Sequence, residues 1–332
     1  MTYLRYHESG YIDMGAVISA PFPIIILTAC RGLGKTYGAL EHCITEDIRF
    51  IYFRRTARIL ELITDPALHV FKRINSDHGW EIRPELAKGV GRFFEGEKLR
   101  GYAAALSTFA NVRGFDGSDI ELMIYDEFIP ERTERRTFDA YTALLNAYET
   151  INRNRELEGN KPLKMLLMSN SDLIYSDIIA GLHLGDELHR MQQQGIEELQ
   201  IGEDILLILP RAEKFSAEKS ETVLGRIAGD GYRDIAIRNR FPIEDESRIG
   251  KKPLIEYRPV ASVKGLTIYR HKSRGDYYVS SRRTGTPKLY EDTEADIRRF
   301  LRENPAVWRA QQKRKVFFEG VNVQTVFRDL FS

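Results

Sequence analysis

Residues 21–38, PFPIIILTACRGLGKTYG, constrain the fold more than any other stretch of the chain. The apolar run PIIILTA (23–29) reads as a buried strand, and it leads into a turn holding Gly32 and Gly34. KTYGALEHCITED follows with helical spacing. Strand, glycine turn and helix in that order make a phosphate cradle. Backbone N–H groups of the turn and of the helix N-terminus point to one place, where the helix dipole also favours negative charge. Ala29, Cys30, Arg31, Gly32, Leu33 and Gly34 form the loop, Lys35 supplies a cation for the β- and γ-phosphates, and Thr36 supplies a hydroxyl for Mg²⁺. The pattern has glycine at its first position, and here Ala29 stands there. Alanine enters the left-handed region less readily than glycine, so the turn is expected to open differently.

The second half of such a site is an acidic pair at the end of a buried strand. LMIYDEF provides Asp126 and Glu127. Asp126 would support the Mg²⁺ shell, and Glu127 would orient and deprotonate the attacking water. A water-activating glutamate implies hydrolysis of ATP more than phosphoryl transfer to a small molecule. MLLMSN places Ser169 and Asn170 beyond a further buried strand, where polar side chains can sense the γ-phosphate. Arg31, inside the loop, could pair with a phosphate or with Glu127. Arg54 and Arg55 of YFRR are candidate phosphate-side or inter-subunit cations. Arg153 and Arg155 of INRNREL sit at a helix end, suited to the dipole there or to a neighbouring subunit's site. Arg113 and Asp116 could couple the site to DNA or simply structure a loop.

Buried strands recur at IRFIYFRR (48–55), IELMIYDEF (120–128) and PLKMLLMSN (162–170), with a helical pattern over 137–157. Strands alternating with helices predict a parallel sheet covered on both faces. GRFFEGEKLRGYAAALS predicts a hairpin turning near Gly96, and DILLILPRAE (204–213) a last strand. The segment 214–241 is charged, partly helical and interrupted by glycine. From about residue 248, GLTIYRHKSRGDYYVSSRR predicts two strands around a Ser-Arg-Gly-Asp turn, and residues 291–315 one or two helices. The expected division is an ATPase domain over 1–212, a helical linker over 213–247 and a basic domain over 248–332. Charge follows it: residues 248–332 carry 19 Lys and Arg against 9 Asp and Glu, a balance of +10, and the rest 30 against 39, a balance of −9. A basic end on an acidic body suggests a polyanionic partner. Cys30 and Cys43 form no CxxC pair, and the seven His show no metal-ligand spacing. Apolar runs fall short of a membrane span, and the N-terminus has no secretory pattern, so a cytoplasmic protein is expected.

Taken together, ACRGLGKT, FIYFRR, MIYDEF, NRNRE and LLMSN come in the order and spacing of viral DNA-packaging ATPases, and the chain resembles those of small short-tailed phages of the phi-twenty-nine type. The likeness covers most of residues 23–241, including Pro210 and FSAEK. It implies an α/β fold: a P-loop ATPase of the additional-strand, catalytic-glutamate type with a mostly parallel sheet, a helical linker, and a small α+β ribonuclease-H-like domain that has lost its nuclease chemistry. It also implies a homo-oligomeric, usually pentameric ring at the portal (connector) protein of a procapsid. That ring, with a packaging RNA as a further partner, drives double-stranded DNA inward from the host cytoplasm and is absent from the mature virion. By position, the resemblance gives Lys35 and Thr36 to phosphate and Mg²⁺, Asp126 to the metal and Glu127 to base catalysis. Arg153 takes the trans-acting arginine position, Asn170 the sensing position, and Arg31 that of the extra arginine of terminase-type loops. The chain departs from the family at Ala29, and at Ala57, where relatives carry Lys and where Arg58 stands next along. Nuclease chemistry needs several carboxylates converging on two metal ions. Residues 248–290 offer Glu256 and Asp276, which fits an inactive module.

Other readings share parts of this pattern. A helicase or partitioning ATPase would also use the loop, although the C-terminal part has no second one. A small-molecule kinase would need a lid and an acceptor pocket. A nucleotide-regulated scaffold would bind nucleic acid without turnover.

Overall fold

The computed structural model describes residues 2–87, 89–112, 114–129, 138–170, 176–229 and 246–331. The chain divides into two compact units, Met1–Ile178 with Arg190–Pro242, and Ile179–His189 with Ile243–Ser332. Arg113 and residues 230–241 of the charged segment lie outside the described residues.

In the first unit the strands are β1 (Ile24–Thr28), β2 (Phe50–Arg54), β3 (Ile82–Ala87), β4 (Val90–Glu95), β5 (Lys98–Ala105), β6 (Leu122–Asp126), β7 (Lys164–Ser169), β8 (Glu198–Ile201) and β9 (Ile205–Ile208). They form one sheet in the order β3-β4-β5-β2-β6-β7-β1-β9-β8. Neighbours from β5 through β9 run parallel, while β3, β4 and β8 are antiparallel additions at the two edges. This is the expected α/β architecture. Ile25, Ile26 and Leu27 are all fully buried. Consecutive rather than alternating burial is what a strand covered on both faces requires, and each such side chain contributes about 1.5–3 kcal/mol relative to exposure. β7 lies between β1 and β6, so its C-terminal end adjoins both the loop after β1 and the acids ending β6.

The hairpin β4–β5 turns at Gly96, whose φ of +59° lies in the left-handed region. The helix expected over 137–157 is shorter, Ala140–Asn152. Asp139 starts it by accepting from the Thr142 N–H, and it ends where Arg153 turns to φ +49°. The edge strands β3 (IRPELA) and β8 (ELQI) were not anticipated, because neither forms a buried apolar run: only Ile82 of β3 and no residue of β8 is buried.

The second unit carries β10 (Tyr257–Val263), β11 (Leu266–His271), β12 (Tyr277–Ser280), β13 (Lys288–Leu289) and β14 (Val316–Phe318) in the order β13-β10-β11-β12-β14. β10, β11 and β12 are antiparallel, with β13 parallel to β10 and β14 parallel to β12. β11 and β12 are the two strands expected around Ser-Arg-Gly-Asp. The 291–315 pattern yields two helices, Glu294–Glu303 and Pro305–Gln312, divided where Pro305 opens the second. Ala261, Ile268, Val279, Phe300 and Phe327 share its apolar core.

Candidate nucleotide site

The loop between β1 and the helix Lys35–Thr45 places its strain where glycine carries it. Gly32 has φ +90° and Gly34 φ +80°, and Gly34 caps the helix. Ala29 is not among the residues with positive φ, so the expected difference in the turn does not arise from its backbone. A Cβ is tolerated there because the chain is still leaving β1, with the Ala29 N–H donating to the Ser169 carbonyl at 3.1 Å. Cys30 and Leu33 are buried, and burial pushes the Cys30 thiol up, keeping it protonated at neutral pH.

Lys35 is buried, and its ammonium donates to the carbonyls of Ala29 (3.0 Å) and Cys30 (2.9 Å) and to Asn170 Oδ1 (3.2 Å). Burial pulls its pKa down to about 8, against the attraction of Asp126. Its three hydrogen-bond acceptors are all neutral, so an anionic oxygen would be a stronger partner for any of its protons.

Asp126, 4% exposed, gathers donors onto one carboxylate. Its Oδ2 accepts from Thr36 Oγ1 at 2.7 Å, Tyr52 OH at 2.7 Å and Arg54 Nη1 at 3.5 Å, and its Oδ1 accepts from the Glu127 N–H at 3.0 Å. Burial and the Asp126 charge push the Tyr52 phenol well above its ordinary pKa, so it remains a donor. Glu127 sits at φ +54°, a conformation that costs a non-glycine residue of the order of 1–3 kcal/mol. Its carboxylate is half exposed and paired with Arg54 Nη2. A hydroxyl and a carboxylate oxygen this close are hard donors of the kind Mg²⁺ takes, so Thr36 and Asp126 fit that ion.

These groups surround one cavity of about 290 Å³, lined by Arg31 to Tyr37, Asp126, Glu127 and Asn170. Ala29 and Cys30 adjoin it through the carbonyls that hold Lys35. A second cavity of about 440 Å³ shares Gly34 and Tyr37 with it and is also lined by Tyr11, Glu41, Arg73 and Asp77.

Other expected residues stand elsewhere. Arg153 is exposed and away from this cavity, its Nη2 donating to the Phe115 carbonyl at 2.8 Å and its Nη1 lying 3.9 Å from Asp116. Arg155 donates to the Gly117 carbonyl at 2.9 Å. Ser169 does not face the cavity: its hydroxyl accepts from the Ile129 N–H and donates to the Asn170 carbonyl. Arg55 is buried, its guanidinium 5.4 Å over the Phe138 ring, so it is not a surface cation here. Arg58 is exposed on the first turn of the helix Ala57–Thr64. Glu127 pairs with Arg54, a partner the sequence reading had not given it. Tyr52 was missed altogether, although its alternation with Arg54 on β2 put both on the face leading to the acids. In the second unit Glu256 and Asp276 do not converge on an open site; Arg274 lies 3.5 Å from the first and 3.7 Å from the second.

Residues 9–302 match the family described as Podovirus DNA encapsidation protein (Gp16). The chain belongs to that family. It is 26% identical over 228 residues to the DNA packaging protein of Bacillus phage phi29, a match covering 67% of this chain and 63% of that one. With the DNA packaging protein of Bacillus phage B103 it shares 27% identity over 230 residues, 67% of this chain and 65% of that one. The chain thus spans less than two thirds of the length of these curated relatives. Among solved structures it is similar to a chain of the bacteriophage Phi-29 viral genome packaging motor assembly, with a TM-score of 0.67, 16% identity, and 97% and 98% of the two chains covered. A chain of the Phi-28 gp11 DNA packaging motor gives a TM-score of 0.63 at 16% identity over 95% of each. Both likenesses are of fold, and they agree with the α/β architecture described above. No helix among the described residues is long and apolar enough to cross a membrane.

Proposed function

We propose that this chain is the ATPase of a viral DNA-packaging motor, hydrolysing ATP to drive double-stranded DNA into a procapsid. The observation that carries the reading is that Thr36 and Asp126 meet at 2.7 Å beside a cavity onto which Lys35, Glu127 and Asn170 also open. Loop N–H groups and Arg31 bind phosphate oxygens, and Lys35 exchanges its carbonyl partners for the β- and γ-phosphates. The adjoining cavity beside Tyr11 and Tyr37 has room for the base. Thr36 and Asp126 would hold Mg²⁺, which supplies charge neutralisation at the phosphates. Glu127 takes the proton of the attacking water at its half-exposed carboxylate, which its left-handed backbone turns off the strand axis. Asn170 reports on the γ-phosphate. Arg153, exposed and remote from its own cavity, acts in trans on a neighbour in a homo-oligomeric ring.

The proposed division is an ATPase domain over 1–212, a linker over 213–247 and a basic, nuclease-like domain over 248–332. The compact units support two folding bodies and add residues 179–189 to the second. The +10 balance of the last domain suits non-specific phosphate contact with DNA or a packaging RNA, and the portal protein is the expected docking partner in the host cytoplasm. The test is ATP hydrolysis by the purified protein with and without double-stranded DNA at low and moderate salt. Stimulation by DNA that weakens steeply with salt supports a DNA motor. Hydrolysis indifferent to DNA sinks it.

A further inference from the structure

The stretch FSAEK (215–219) has no part in the site as described so far, yet the helix it belongs to, Glu213–Ser220, is tied to the phosphate loop. That helix buries none of its residues. What holds it are a few specific contacts. The Phe215 ring stands 3.2 Å from where a Cβ on Gly32 would lie, and it packs against Tyr11 with centroids 6.1 Å apart. Lys214 donates to the Glu8 carbonyl. Lys219 Nζ donates to the Arg31 carbonyl at 2.7 Å and lies 5.4 Å over the Phe215 ring. A half-exposed helix, with Phe215 packed at the edge of the apolar core, is thus also tied to the loop by an ammonium on its backbone.

The end of the loop it touches can be identified. In a phosphate loop the lysine reaches the β- and γ-phosphates, and Lys35 here points to the carbonyls of Ala29 and Cys30. Those residues mark the γ end, and Arg31, whose carbonyl Lys219 holds, is the next along. Given the ATP reading above, on which this rests, we infer that Lys219 is a further cation of the site, pairing with the γ-phosphate so that the helix 213–220 responds to a triphosphate and not to a diphosphate. The four-carbon stem lets the ammonium pass from a neutral carbonyl to an anionic oxygen without moving the helix far. Burial above all, with the neighbouring Arg31 charge, lowers the Lys219 pKa, and an anionic partner offsets both. In chain order this helix and Val223–Ile227 are the last described elements of the first unit, so γ-phosphate contact is registered where the chain leaves it.

The test is the dissociation constant of a non-hydrolysable ATP analogue and of ADP, measured on the full chain and on Lys219→Ala, Lys219→Met, Lys219→Arg and Lys214→Ala. A charge-assisted hydrogen bond lost to the γ-phosphate weakens the analogue about tenfold or more, and ADP less than about twofold. Lys219→Met, which keeps the stem over Phe215, should behave as the alanine variant does, and Lys219→Arg should recover most of the loss. Lys214→Ala loosens the same helix at its other end and should change both ligands equally or neither. Equal losses for ATP analogue and ADP in both Lys219→Ala and Lys219→Met, or no loss, overturn the inference while leaving Lys35-dependent ATP binding intact. Failure of the unaltered chain to bind either nucleotide overturns the site reading and this inference together.

Discussion

Exchanging the loop's alanine and glycine positions tests where the cradle carries its strain. Gly34 sits at φ +80°, where an L side chain costs about 1–2 kcal/mol. A Cβ there also comes 3.4 Å from Tyr11. Gly34→Ala should therefore destabilise the first unit by about 1–2 kcal/mol and, since the strain falls on the loop that receives phosphate, weaken ATP binding by about tenfold. Ala29→Gly acts through the unfolded chain instead, costing about 0.4–1 kcal/mol of stability and leaving ATP affinity within about twofold. Trp80 lies in the first unit and Trp308 in the second, so urea unfolding in a Trp308→Phe background reads the first unit alone. Nucleotide titration of the same samples gives affinity. An Ala29→Gly variant that is more stable or binds ATP much more tightly, or a harmless Gly34→Ala, would refute the placement of strain at Gly32 and Gly34.

The remaining expectations concern the buried charges. With its pKa near 8, Lys35 is partly neutral above that pH, and a bound polyphosphate restores its proton. ATP affinity should fall as pH rises from about 7 to 9, and calorimetry at pH 8.5 in buffers of different ionisation enthalpy should show proton uptake on binding. Tyr52→Phe removes a buried donor 2.7 Å from Asp126 and should lower stability by about 1–3 kcal/mol in urea unfolding without preventing nucleotide binding. Arg54→Met leaves Asp126 and Glu127 adjacent without their shared cation; it should destabilise the first unit by a similar ~1–3 kcal/mol, with the loss shrinking in high salt.

Much of the site was legible because its chemistry is local. Lys35 and Thr36 follow directly from a strand and a glycine turn, and Asp126 and Glu127 from the end of one apolar run. The position of β7 between β1 and β6 was not legible from periodicity, since the spatial order of parallel strands is set by crossovers. That order is nevertheless what brings Asn170 to Lys35. Tyr52 read as one more aromatic in a buried strand, and its hydroxyl acquires a role only when β2 lies beside β6. Arg55 and Ser169 read as functional from their strand-end positions, but the packing of Phe138 and the N–H of Ile129 claim them. Residues 179–189 join the second unit although the sequence runs on from β7 without a compositional break.

The central claim is that Glu127 activates water in a cavity where Lys35 and Thr36 hold the triphosphate. Its most direct test is a paired measurement on Glu127→Gln, comparing equilibrium binding of ATP with single-turnover hydrolysis. The amide keeps the shape but cannot take the proton, so binding should stay within about threefold of the unaltered chain while hydrolysis falls by about 10²-fold or more. Undiminished hydrolysis in Glu127→Gln would contradict the account.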